Sequence, residues 1–114
     1  MTYMETLGAR AKTAAPAAAK AGVVLKNQAL NAIADALLVN SERIIAENAK
    51  DLEQAVQNNM TAAMQDRLRL DEGRIQAIAN AVRKLVALED PIGTEDKGWV
   101  RPNGLRIRQV SVNV

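Results

Sequence analysis

Apolar residues recur at helical spacing along most of the chain. Met4, Leu7 and Ala11 share a face, followed by Ala14, Ala15 and Ala18. This predicts a helix from residue 3 to about 20. Pro16 falls inside it and predicts a kink or break near Thr13 to Pro16, because proline lacks an N–H and its ring clashes with the preceding turn. Gly22 separates the next segment. From Val24 to Leu38, Leu25, Ala29, Ala32, Ile33, Ala36 and Leu37 line one face, with Leu30, Ala34 and Leu38 beside it. A stripe this wide implies more than one neighbour. Asn40 or Ser41 caps a third helix, to about Asn58, with a core stripe of Ile45, Ala49, Leu52 and Val56. Thr61 caps a short segment after the Asn58-Asn59 turn. Asp71 caps a further helix, with Glu72 in its first turn. Its apolar face carries Ile75, Ile78, Ala79, Val82, Leu85 and Val86, and it stops at Asp90-Pro91-Ile92-Gly93.

After Gly93 the period changes. Thr94 to Gly98 reads as a polar loop. From Trp99 the pattern alternates, and Pro102-Asn103-Gly104 predicts a hairpin turn. The apolar face switches sides near Gln109, which a bulge would explain. The expected fold class is mostly α with a C-terminal β-hairpin. The expected division is a helical segment, 1–93, and a loop with hairpin, 94–114.

Composition narrows the chemistry. Cys and His are both absent, so this chain has no thiolate nucleophile, disulfide or imidazole base. There is no Phe, with one Trp and one Tyr, and Ala dominates the apolar residues. An Ala-rich core buries little area per residue. The net charge of +2 is nearly balanced and shows no concentrated basic face of a nucleic-acid binder. No apolar run is long enough to span a membrane, and the first twenty residues do not read as a signal peptide. A cytoplasmic protein is expected.

Most polar groups suit plain surface roles. Lys12 and Lys20 read as solvated charges, and Asn27 and Gln28 as ordinary helix positions. Glu47 and Asp51 form a like-charge i,i+4 pair with Lys50 and Glu53 close by, again a solvated face. Asp66 and Arg67 suit an ion pair or cap better than catalysis. Arg101, Arg106 and Arg108 lack the stacking aromatics of a nucleic-acid surface. No glycine-rich phosphate loop, metal spacing or repeat occurs. No catalytic, cofactor-binding or metal residue is assigned.

The order of residues carries more. AMxDRLxL followed by RIxxIAxxxRxLxxLxDPIG, within Ala62 to Gly93, resembles the gamma-glutamyl phosphate reductase family, or glutamate-5-semialdehyde dehydrogenase, of the aldehyde dehydrogenase superfamily. LKNQALNAIADALLxN upstream, and Asn48, Ala49, Asp51 and Ala55 in an NAxDxxxA pattern, extend the resemblance. So does the basic strand after the Asn-Gly turn, as far as Val110. Ser111 stands where the family usually has a basic residue, and Asn113 where it has Pro.

The resemblance implies the N-terminal helical segment of an aldehyde-dehydrogenase-like α/β fold. The implied parent activity is NADPH-dependent reduction of L-glutamyl 5-phosphate to L-glutamate 5-semialdehyde, in proline biosynthesis. The family's catalytic Cys and cofactor sheet lie downstream of the matched region. The chain alone is therefore expected to be inactive and to bind no NADPH. Its implied partners are the remainder of the enzyme chain and a neighbouring subunit, with neither nucleic acid nor membrane. The alternatives are a stand-alone helical interaction module without activity and a degraded, inactive gene product.

Overall fold

A computed structural model describes residues 1–113. Five helices precede one hairpin: α1 (Tyr3–Lys20), α2 (Val23–Val39), α3 (Ser41–Gln57), α4 (Ala62–Leu68), α5 (Glu72–Val86), β1 (Glu95–Val100) and β2 (Arg106–Val110). The mostly α chain with a C-terminal hairpin is thus as expected. None of the helices is long and apolar enough to cross a membrane. The described residues form two compact units, Met1–Lys26 with Glu89–Val114, and Asn27–Leu88.

In the first unit, α1 starts at a capping box. Thr2 Oγ1 accepts from the Glu5 N–H, and the Glu5 carboxylate accepts from the Thr2 N–H. Of the kink or break expected near Thr13 to Pro16, the break does not occur: α1 is one continuous helix with Pro16 inside it. Proline removes one backbone donor, and the alanines on both sides have the highest helix propensity, so the ladder resumes after the fault. No residue of α1 is buried.

The hairpin is antiparallel, with Trp99 opposite Ile107 and Val100 opposite Arg106. The expected loop over Thr94 to Gly98 is corrected, because Glu95 to Gly98 belong to β1. Their charged side chains are tolerated because every residue of β1 is exposed. The face switch near Gln109 coincides with a bulge on the opposite strand. Glu95 pairs with Val110 and Lys97 with Gln109, so Asp96 is the extra residue. Pairing continues past the strands, with Gly93 N–H donating to Ser111 O at 2.8 Å and Ser111 N–H to Thr94 O at 3.0 Å. Asn113 Nδ2 donates to Ala19 O, near the end of α1, at 3.2 Å. The expected β-rich end at Val114 lies outside the described residues.

The second unit holds the buried apolar side chains: Ala34, Ala55, Ile75 and Ala79. Three of the four are alanines, so helices approach closely but bury little area. Two predicted stripes are rotated. On α2 the inward residues are Leu30, Ala34, Leu37 and Leu38, while Leu25, Ala29, Ala32, Ile33 and Ala36 are exposed. On α3 they are Ile44, Ile45, Asn48, Leu52 and Ala55, while Ala49 and Val56 are exposed. On α5, Ile75, Ala79, Val82 and Val86 turn inward, leaving Ile78 and Leu85 at the surface. In each case the apolar arc is wider than the covering neighbours, so periodicity alone could not pick the buried half.

Candidate functional site

The one buried polar side chain among the described residues is Asn48, 6% exposed, midway along α3. It occupies a position of the apolar row between Ile44 and Leu52. Its Nδ2 donates to Leu68 O at 2.9 Å, and its Oδ1 accepts from Leu70 N–H at 2.8 Å. One amide therefore satisfies both a carbonyl and an N–H of the extended link between α4 and α5. Buried backbone groups must be paired. A carboxylate cannot donate to the carbonyl, and an apolar residue can do neither.

On the outer side of that link lies a charged cluster built from the motif stretch. Thr61 caps α4 as expected, accepting from Met64 N–H at 3.3 Å. Asp71 caps α5, accepting from Arg74 N–H at 2.8 Å. Arg69 pairs with Asp71 at 2.6 Å and with Asp66 at 3.3 Å. Arg74 pairs with Asp66 at 3.1 Å and donates to the carbonyls of Asp66 and Arg69. Asp66 is held below the usual carboxylate range by Arg74 first and Arg69 second. Asp71 is also lowered, chiefly by the Arg74 N–H that it caps. These charges knit α4 to the start of α5. Asp66 has the ion-pair role weighed for it, but with Arg69 and Arg74 and not with its neighbour Arg67.

Two other motif pieces meet in the first unit. Lys26 Nζ, from the LKNQ stretch, contacts Asp90 Oδ2 at 2.7 Å, with side chains 31% and 23% exposed. Asp90 Oδ1 accepts from Ile92 N–H at 3.0 Å, fixing the turn around Pro91. Lys26 first, then the Ile92 N–H, lowers the Asp90 pKa. Sequence spacing could not show this pair, whose members are 64 residues apart. The nearest signal is that Lys26 lies in the LKNQ stretch and Asp90 in the DPIG stretch.

In the second unit, a groove of about 550 Å³ lies along α2 and α3. Ile33, Leu37, Ile44 and Leu70 line it together with Arg43, Glu47 and Asp51. Glu47 is paired with Lys50 at 3.0 Å. This lining does not fit NADPH. The dinucleotide brings several phosphate charges, whereas the groove presents two carboxylates against one guanidinium and no glycine-rich cradle. Asn27 is half-buried and Gln28 exposed. Lys12, Lys20, Arg101, Arg106 and Arg108 are all exposed. Among the described residues, no group of three Asp, Glu, His or Cys side chains could hold a metal ion.

No family model matches the chain. Comparison with curated proteins bears out the resemblance carried by the motifs. The chain is 47% identical over 107 residues to gamma-glutamyl phosphate reductase of Rhizobium etli, covering 94% of this chain and 25% of that protein. It is 50% identical over 107 residues to the protein of the same name from Lachnospira eligens, covering 94% and 26%. Among solved structures, gamma-glutamyl phosphate reductase from Thermotoga maritima matches with a TM-score of 0.75 at 34% identity. That match covers 82% of this chain and 23% of the other. The chain thus spans about a quarter of the length of the curated relatives it matches.

Proposed function

We propose that this chain belongs to the gamma-glutamyl phosphate reductases and supplies their helical and hairpin portion. The observation that carries this reading is the identity of 47% to 50% across nearly the whole chain. A solved structure of that name also matches 82% of this chain with a TM-score of 0.75. The activity then belongs to a longer protein: reduction of L-glutamyl 5-phosphate to L-glutamate 5-semialdehyde with NADPH, in the cytoplasm, on an aldehyde-dehydrogenase-like fold. This portion acts as scaffold. Asn48 and the Asp66–Arg74 cluster fix the α3–α4–α5 corner, and the exposed apolar residues of α1, α2 and β1 offer surfaces to the remaining chain and a neighbouring subunit. In domain terms, 1–93 is the helical part and 94–114 leads toward the cofactor region.

The groove between α2 and α3 does not suit NADPH, with two carboxylates and one guanidinium in its lining. A chain without Cys supplies no thiolate for acyl transfer from the phosphate. The test is an assay of purified 1–114 for NADPH oxidation with glutamyl 5-phosphate, and for the reverse reaction with the semialdehyde, phosphate and NADP. No turnover above the uncatalysed control is expected. Turnover in protein free of host enzyme would overturn the scaffold role.

A further inference from the structure

We propose that the hairpin turn at Asn103-Gly104 is a site of spontaneous deamidation, converting Asn103 to aspartate and isoaspartate. Asn103 is the one asparagine of the chain followed by glycine. It is exposed at the hairpin tip. Gly104 has φ +88, and the space where a Cβ would sit is open. The Gly104 nitrogen can therefore approach the Asn103 side chain without a flanking group in the way.

The turn also polarises the group under attack. Asn103 Oδ1 accepts from Leu105 N–H at 3.1 Å. When the deprotonated Gly104 nitrogen adds to Cγ, the negative charge grows on that same Oδ1, and a donor already faces it. The carbon–nitrogen bond to the side-chain NH₂ then breaks. Ammonia leaves with a proton from solvent, and a five-membered imide remains. Water opens the imide at one carbonyl to give aspartate, or at the other to give isoaspartate. The net change is amide plus water to carboxylic acid plus ammonia, with no oxidation. The bond from Gly104 N–H to Arg101 O, 2.8 Å, must open first. It lies at the exposed end of the ladder, where local opening costs least.

The other asparagines lack this combination. Each precedes a residue with a side chain. Asn48 is buried with both amide atoms engaged, and Asn40 sits between helices with its Nδ2 on Ala36 O. Isoaspartate would insert an extra backbone carbon between Arg101 and Leu105. It would pull apart the 2.7 Å bond from Arg101 N–H to Leu105 O and add a negative charge within a turn flanked by Arg101 and Arg106.

The whole chain is incubated at neutral and mildly alkaline pH and digested with trypsin. The peptide from Gly98 to Arg106 is then followed by mass spectrometry, and isoaspartate is counted by enzymatic methyl transfer. The expected result is a gain of one mass unit on Asn103. Its rate should exceed that at every other asparagine by at least about tenfold and rise with pH, because the amide anion is the nucleophile. Asn103→Ser should abolish methyl labelling of this peptide. A rate at Asn103 no faster than at Asn58 or Asn59, or a gain without isoaspartate, would overturn the proposal.

Discussion

The backbone N–H of Leu70 donates to Asn48 Oδ1 at 2.8 Å, across 22 residues of sequence. With the 2.9 Å bond from Nδ2 to Leu68 O, it makes one side chain the joint between α3 and the α4–α5 link. Asn48→Ala would remove both partners at once. Unpaired buried backbone groups cost about 1–3 kcal/mol. A loss of that size is expected in urea unfolding. Asn48→Leu should fare no better, because it restores volume but neither bond. A Leu variant as stable as the parent would mean that water or rearrangement satisfies the link.

The Lys26–Asp90 pair predicts an acid-dependent loss of stability. The Asp90 pKa is lowered in the folded chain from an ordinary value of 3.8. Its contribution is therefore fully present above that value and is lost as pH falls through the lower folded pKa. Asp66 and Asp71 are shifted the same way and act in the same window. Asp90→Asn should shrink, without abolishing, the fall in urea midpoint below about pH 4. An unchanged acid limb would show that the pair adds nothing in solution.

Pro16→Ala should raise helicity. The substitution returns a backbone donor to the interior of a continuous helix, where proline costs up to about 3 kcal/mol relative to alanine. Because α1 buries no residue, the gain should show first in far-UV circular dichroism and less in the unfolding midpoint. A fall in ellipticity at Pro16→Ala would mean that the helix relies on the fixed φ of proline at this point.

The caps of α4 and α5 were legible because their signals are local. The expected cap at Asn40 or Ser41 fails, with Asn40 making no side-chain cap bond to α3, and α5 ends at Val86, ahead of the Asp90-Pro91 stop. Thr61 and Asp71 each accept the N–H three residues on, as their positions announced. The Asn-Gly turn was equally local. What could not be read was the direction in which each helix faces. On α2 the apolar residues nearly encircle the helix, so Leu30 and Ala34 turn inward while Leu25 and Ile33 do not. On α3 the inward row passes through Asn48, a polar residue that a count of apolar positions skips. Its partners are backbone atoms of a distant link, which no side-chain pattern marks. Lys26 and Asp90 were hidden for the same reason: each makes sense only once the fold brings the other near.

The last prediction is that the isolated chain self-associates. Tyr3, Met4 and Leu7 on α1 are 79%, 68% and 48% exposed, Ile33 on α2 is 50% exposed and Trp99 on β1 is 44% exposed. The hairpin begins at Glu95, ahead of the alternation expected from Trp99, but it is still a two-stranded sheet. Such a sheet is marginal in water, and its outer edges carry backbone donors and acceptors that recruit further strands. Exposed apolar faces and strand edges favour association at concentrations on the order of tens of micromolar. Light scattering should therefore show species larger than a monomer. Ile33→Glu, which charges the α2 surface without touching a buried residue, should reduce them. Hydrogen exchange adds the second reading, since association through strand edges should slow exchange along β1 or β2 as concentration rises. A monomer whose hairpin amides are protected at every concentration would refute the prediction and favour a self-sufficient helical module.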